Sequence, residues 1–249
     1  MNVKQQGISG YWLKVIAVIS MLIDHTSAVI LEQISGIENP PGRANPAFLM
    51  RIIGRAAFPI YCFLLVEGFY HTRSRAKYAG RLFLFALISE VPFDLAFSRR
   101  MWDFSSNNVF FTLLFGLLVI WGVEKIRQKF VADVYGEKAA AIRVILIIVI
   151  VVAGGFLALL FRTDYDLSGI VTIFAIYMFY PKKVKGMGIG VLVLTLLASI
   201  IEAAAFLDMI PIYFYNGTRG KQMKYFFYIF YPAHLFILAM IARAMGLNG

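Results

Sequence analysis

Hydrophobic runs long enough to cross a bilayer recur along this chain of 249 residues, near 13–32, 52–70, 80–97, 107–123, 142–161, 165–180, 187–206 and 225–245. A helix needs about 20 apolar residues to span the hydrocarbon core, where no water is present to satisfy an open backbone. Runs of this length and number exclude a soluble globular fold. They predict an all-α polytopic membrane helical bundle of about eight transmembrane helices. Composition agrees, with 60% hydrophobic and 15% charged residues and a mean hydropathy of +0.75. No linker of domain-boundary length and no internal repeat divides the chain, so 1–249 reads as one integral-membrane domain.

The Lys and Arg distribution orients the bundle, because cytoplasmic loops are enriched in them. With the N-terminus inside and eight crossings, Lys4, Lys14, Arg73, Arg75, Lys77, Arg81, Lys125, Arg127, Lys129, Lys138, Arg143, Lys182, Lys183, Lys185 and Arg243 face the cytoplasm, fifteen of 24. The expectation is a multi-pass protein of a bacterial cytoplasmic (inner) membrane with both termini cytoplasmic. The net charge of +10 is spread over separate loops and comes with no zinc-ligand spacing or base-stacking motif. It points to anionic lipid and membrane topology, not to nucleic acid. The first run is too long for a cleavable signal and lacks an A-x-A site, so it reads as an anchor. The lone Cys62 excludes an internal disulfide. The connection from Glu124 to Ala141 reads either as an amphipathic interfacial helix with Phe130, Val131 and Val134 against lipid or as a solvated loop. The fifth run, apolar between Arg143 and Arg162, reads as lipid-facing.

Ionisable groups inside such runs are costly and usually functional. In the first run Asp24 and His25 are adjacent within LKVIAVISMLIDHTSAVILE. Neighbours on a helix point about 100° apart, so the two address different partners. His25 is the better candidate base, since its near-neutral pKa suits proton transfer. Arg51 and Arg55 share a face of the second run and read either as headgroup anchors or as partners of Glu90 and Asp94 on the third. Glu67 and His71 share a face at its other end. Pro59 and Pro92 free backbone groups that a hydrated polar pocket would satisfy. Asn107, Asn108, Glu202 and His234 extend the outer group of polar residues. Tyr225, Tyr228 and Tyr231 form a stripe that fits a packing face or interfacial belt better than a substrate cradle. GMGIG at 186–190 lacks the strand and acidic partner of a dinucleotide site and reads as close helix packing. Asn216-Gly217-Thr218 reads as a turn.

The segments LKVIAVISMLIDHTSAV, RIIGRAAFPIYCFLLVEGFYHTRSRAKYAGRLFLFALISEVPFDLAF, NNVFFTLLFGLL, IYFYNGTRG and KYFFYIFYPAHLFIL resemble, in order and over nearly the whole chain, the TraX family, named for the conjugative-pilin N-acetyltransferase. The resemblance implies transfer of acetyl from cytosolic acetyl-CoA, with no metal, to an amine or hydroxyl acceptor, a peptide N-terminus among the candidates, at or beyond the outer half of the membrane. On this reading the catalytic set is His25 as base with Asp24, Arg51 and Arg55, the arginines serving the oxyanion. Glu90, Asp94, Asn108, Glu202, Asn216, Arg219 and His234 form the acceptor side. Glu67, His71, Arg73, Arg75, Lys77 and Arg81 face the CoA phosphates. A coupled ion or proton transporter would also use buried Asp, His and Glu, though transporter folds often show repeat symmetry.

Overall fold

A computed structural model describes residues 7–35, 45–130 and 132–247. The elements are helices: α1 (Gly10–Thr26), α2 (Glu32–Ser35), α3 (Pro46–Gly54), α4 (Ala57–His71), α5 (Arg75–Phe97), α6 (Val109–Lys129), α7 (Ala132–Leu160), α8 (Asp166–Met178), α9 (Lys183–Leu197), α10 (Met209–Tyr213) and α11 (Lys224–Ala244). A π-helical turn at Ser27–Leu31 joins α1 to α2, and a 3-10 stretch at Ile200–Asp208 leads into α10. Among the described residues, five continuous helical segments are long and apolar enough to cross a membrane: Gly10–Ile34, Pro46–His71, Val109–Lys129, Ala140–Leu160 and Tyr225–Ala244. Helix α5 has the length, but Arg75, Lys77, Arg81, Glu90 and Asp94 lower its hydropathy. Helices α8 and α9, with 13 and 15 residues, reach only about 20 and 22 Å.

Local chemistry sets the helix ends. Asn45, Ser74 and Asn108 cap α3, α5 and α6 by accepting from the backbone N–H of Ala47, Lys77 and Phe110 at 3.0, 3.3 and 3.0 Å. Pro59 has no N–H for the Arg55 carbonyl, and its ring crowds that carbonyl, so the helix breaks between α3 and α4. There the N–H groups of Arg55 and Ala56 turn back to Ile52 and Ile53 at 3.2 and 3.4 Å. Helix α7 leaves Ile145, Ile148, Val152 and Phe156 exposed, as expected for a lipid-facing element. Helices α8 and α9 pack closely at Gly186 and Gly190, where a Cβ would press on the Ile176 and Phe179 carbonyls and on the Ile176 side chain. That is the role read for GMGIG. Glu124 to Lys129 continue α6 and Ala132 to Ala141 belong to α7, so no separate interfacial helix forms. Val131 and the side chain of Val134 lie outside the described residues.

The run read as 187–206 is two elements, not one. Helix α9 stops at Leu197, and Ile200–Asp208 with α10 carries the chain back, from Glu202 beside Arg55 to Tyr215 beside Glu67. Every residue from Thr195 to Phe206 except Ser199 and Glu202 is apolar or small, so hydropathy alone does not mark this reversal. The extra traverse makes α11 run parallel to α1. Phe227 packs on Tyr11 and lies under the Lys14 ammonium, while His234 meets His25. The C-terminal end of α11 accordingly lies with Arg99, across the bundle from Gly10. The expectation that both termini lie on one side is corrected by this parallel pairing.

At the crossing of α1 and α3, Gly54 lies against Asp24, and a Cβ at Gly54 would overlap the Asp24 side chain. Gly54→Val should lower the unfolding temperature of the detergent-purified protein by the equivalent of about 1–3 kcal/mol, the usual cost of overpacking. The conformationally open Gly80→Ala, which meets nothing within 4 Å, should melt like the parent.

Candidate active site

Asp24 is buried and binds two guanidinium groups at once, Arg51 Nη1 at 2.6 Å and Arg55 Nη2 at 2.5 Å. Arg55 also bonds Glu202 at 2.9 Å, and Arg51 lies 3.3 Å from Glu32. The helix break prepares this. With the Arg55 N–H turned to Ile52, the Arg51 carbonyl is left free, and the Arg55 Nε donates to it at 3.1 Å. That bond aims the rest of the guanidinium at Asp24 and Glu202. The sequence-based pairing of Arg51 and Arg55 with Glu90 and Asp94 is therefore replaced. Glu90 accepts from the Asn108 backbone at 3.4 Å and from its side-chain amide, and Asp94 accepts from the Asp103 N–H at 2.9 Å. Both carboxylates fasten the α5–α6 connection. Four-residue spacing establishes a shared helix face but not which neighbouring helix that face meets.

His25 addresses a different partner, as its position one residue on from Asp24 requires. Its Nδ1 lies 2.7 Å from His234 Nε2, and the rings are coplanar to within 4°. His234 Nδ1 lies 2.8 Å from the Phe230 carbonyl. A carbonyl only accepts, so His234 carries its proton on Nδ1. In a neutral ring its Nε2 is then bare and accepts from His25 Nδ1–H. The lone pair left over is on His25 Nε2.

One cavity of about 490 Å³ joins His25 to the opposite end of the bundle, within the range of small-molecule sites. Its walls include Lys14, Met21, Asp24 and His25 of α1, Ala57 to His71 of α4, Arg81 of α5, Phe110 of α6, and Tyr228 and Tyr231 of α11. Along α4 from Ala57 to His71 it extends about 21 Å. One mouth is basic, with Lys14, His71, Arg73, Arg81 and Arg219. The other end holds Asp24, His25, Asp164 and Tyr165. Tyr165 stacks on Phe58 at 3.6 Å, and Tyr231 meets the His25 ring edge to face at 6.1 Å. Asp164 keeps accessible surface, and desolvation by the surrounding protein pushes its carboxyl up to about 6, opposed by Arg55. Among the described residues no group of His, Cys, Asp and Glu is arranged to hold a metal.

The other candidates divide between the two ends. Glu67, His71, Arg73 and Arg81 line the cavity at the basic mouth, whereas Arg75 stacks on Phe69 at 4.2 Å and Lys77 is exposed outside the lining. Glu67 accepts from the Tyr180 and Tyr215 hydroxyls, the latter at 2.7 Å, tying α4 to the segments that follow α8 and α10. Burial, reinforced by Glu67, raises the Tyr215 hydroxyl and keeps it a donor. Asn216 and Arg219, assigned to the acceptor side by the resemblance, lie at the basic mouth instead. Arg219 donates to the His71 carbonyl at 2.8 Å, and Asn216 accepts from the Thr218 N–H at 3.0 Å in a turn with Gly217 at φ +76°. The returning traverse puts them there. Asn108 is a buried helix cap, Glu202 holds Arg55, and His234 is the partner of His25. Tyr228 and Tyr231 line the cavity while Tyr225 is exposed, so the tyrosine stripe is two-thirds cavity wall. Asp164 and Tyr165 are not singled out in the sequence, and Lys14 is read there as a cytoplasm-facing charge and not as a site residue. Asp164 and Tyr165 sit between two apolar runs, where polar residues are ordinary.

The TraX family, described as TraX protein, matches residues 9–242. "Probable fimbrial assembly protein FimC, serogroup H1" of Dichelobacter nodosus is 29% identical over 255 residues, covering 92% of this chain and 94% of that protein. No solved structure matches the chain with significance. With the match running from before α1 almost to the end of α11, the chain belongs to the TraX family.

Proposed function

We propose that this protein is a membrane-embedded acetyltransferase, moving acetyl from cytosolic acetyl-CoA to an amine or hydroxyl acceptor in the outer half of the membrane. The observation that carries the reading is one cavity with a basic mouth at one end and, lining the other, His25, whose Nδ1 is taken by His234. Lys14, Arg73, Arg81 and Arg219 offer charge to the CoA phosphates, and the long, mostly apolar passage suits the arm that carries the thioester. The basic mouth is proposed to face the cytoplasm. Of the 24 Lys and Arg residues, Lys4 and Arg43 lie outside the described set; of the other 22, only Arg51, Arg55, Arg99, Arg100, Arg162 and Arg243 lie at the far end. That asymmetry supports, by the positive-inside rule, an orientation in the inner membrane of a bacterium with the Gly10 end inside and the Ala244 end outside. The name of the FimC relative concerns fimbrial assembly, which favours a surface-subunit N-terminus as acceptor.

In the transfer, His25 Nε2 takes the proton of the attacking N–H or O–H as the acceptor atom bonds to the thioester carbon. The tetrahedral oxyanion collapses, the C–S bond breaks, and the leaving thiolate takes the proton back from His25. CoA–SH and the acetylated acceptor result. His234 holds His25 in the tautomer that leaves Nε2 free, a part played by a carboxylate in hydrolase triads. Arg51 and Arg55 act by fixing Asp24 beside this end, through the donors that meet Asp24, Glu32, Glu202 and the Arg51 carbonyl.

Acetyl-CoA and CoA should raise the unfolding temperature of the purified protein, and adenosine or unrelated nucleotides should not. Arg73→Glu together with Arg219→Glu should remove that shift in folded protein, because the phosphate end loses its cations. His25→Ala should keep the shift yet lose about 10²–10⁴-fold in labelled-acetyl transfer. Proton or solute flux in liposomes without any CoA-dependent shift would instead establish the transporter reading.

A further inference from the structure

The acetyl-transfer reading leaves open what recognises the acceptor, and the expected receivers, Glu90 and Asp94, are occupied away from the cavity. Asp164 meets the requirement. It lies in the α7–α8 connection, lines the cavity at the His25 end, has open side-chain surface and makes no hydrogen bond or ion pair of its own. Among the described residues, the carboxylates that act on Asp164 have cations, Asp24 with Arg51 and Arg55 and Glu202 with Arg55, while Glu32 has Arg51. Among the described residues, Arg51 and Arg55 are thus shared by Asp24, Glu202 and Glu32, and Asp164 faces the cavity without an ion pair. An anionic charge enclosed by protein is costly until a cation joins it. The walls around it are aromatic, with Phe58, Tyr61, Tyr165 and Tyr231 in the lining, the surroundings that also favour an ammonium.

We propose that Asp164 binds the acceptor as a protonated primary amine and so makes the enzyme selective for amines over hydroxyls. The inference rests on the acetyl-transfer reading for its consequence in turnover, but the binding step stands alone. In the reaction the ammonium loses two protons. One leaves to solvent and frees the nitrogen lone pair; the second passes to His25 and on to the departing thiolate. The new N–C bond replaces the C–S bond, giving an amide, CoA–SH and one released proton. Asp164 positions the nitrogen and takes no part in bond exchange.

The test uses benzylamine, with benzyl alcohol as its uncharged counterpart, on the full-length protein in detergent. Benzylamine should raise the unfolding temperature of the parent and benzyl alcohol should not. Asp164→Asn should bind benzylamine roughly 10- to 100-fold more weakly, with the acetyl-CoA shift intact as evidence of folding, and Asp164→Glu should restore part of the amine response. In transfer assays the loss should fall on KM for the amine and not on kcat. A benzylamine response that survives Asp164→Asn, or no response in the parent, overturns the proposal. An intact benzylamine response without any acetyl-CoA response would instead leave the ammonium site standing and remove the transferase reading.

Discussion

The contact on which the rest of the arrangement depends is the two-guanidinium grip on Asp24. A carboxylate buried within an apolar helix is tolerated only when opposite charge is held against it with good geometry, and three separate parts of the chain serve that end. Gly54 lets α3 approach α1 closely enough. Pro59 breaks the helix so that Arg55 can brace against the Arg51 carbonyl. The 3-10 stretch returns Glu202 to Arg55 as a second anion. The neighbouring His25 inherits a fixed position from this framework, because a helix pinned at one residue cannot rotate at the next.

The His25–His234 pair divides labour differently from a charged triad. A carbonyl terminates the chain of hydrogen bonds, so no formal negative charge is placed behind the base. The partner then fixes orientation and tautomer without adding a further carboxylate to an end of the cavity already rich in them. On the proposed reading, separation of a cationic mouth from an acidic, aromatic end over about 21 Å would let two ligands of opposite charge meet without competing for one subsite.

Much of the site is visible in the sequence because it is expensive. Asp24 and His25 stand out in an apolar run, and their angular separation correctly assigns them to different helices. The partners do not stand out. Arg51 and Arg55 could be matched equally well to any carboxylate pair spaced by four, and only the packing of α3 on α1 selects Asp24. The traverse from Ile200 to Tyr213 is concealed for the opposite reason: it is as apolar as the helix before it, so the turn at Ala198 and Ser199 leaves no trace in hydropathy. That single concealed reversal moves Asn216 and Arg219 to the other end of the bundle and changes the side on which the chain ends. Asp164 escapes notice because a carboxylate in a connection is normally solvated, and only three-dimensional closure turns it into a cavity wall.

The short backbone pairing at the basic mouth bears on how the protein is made. Ile8 and Gly10 bond to the segment Phe214 to Thr218 through N–H to O contacts of 2.9, 3.0 and 2.7 Å, and His25 waits for a partner 209 positions later. Helix α1 is thus completed by α11. Until α11 has been inserted, α1 keeps a polar face without its final neighbour, and the cavity has one wall missing. A ribosome-bound intermediate therefore has no assembled centre until α11 has emerged, so formation of the His25–His234 pair is tied to the synthesis of α11.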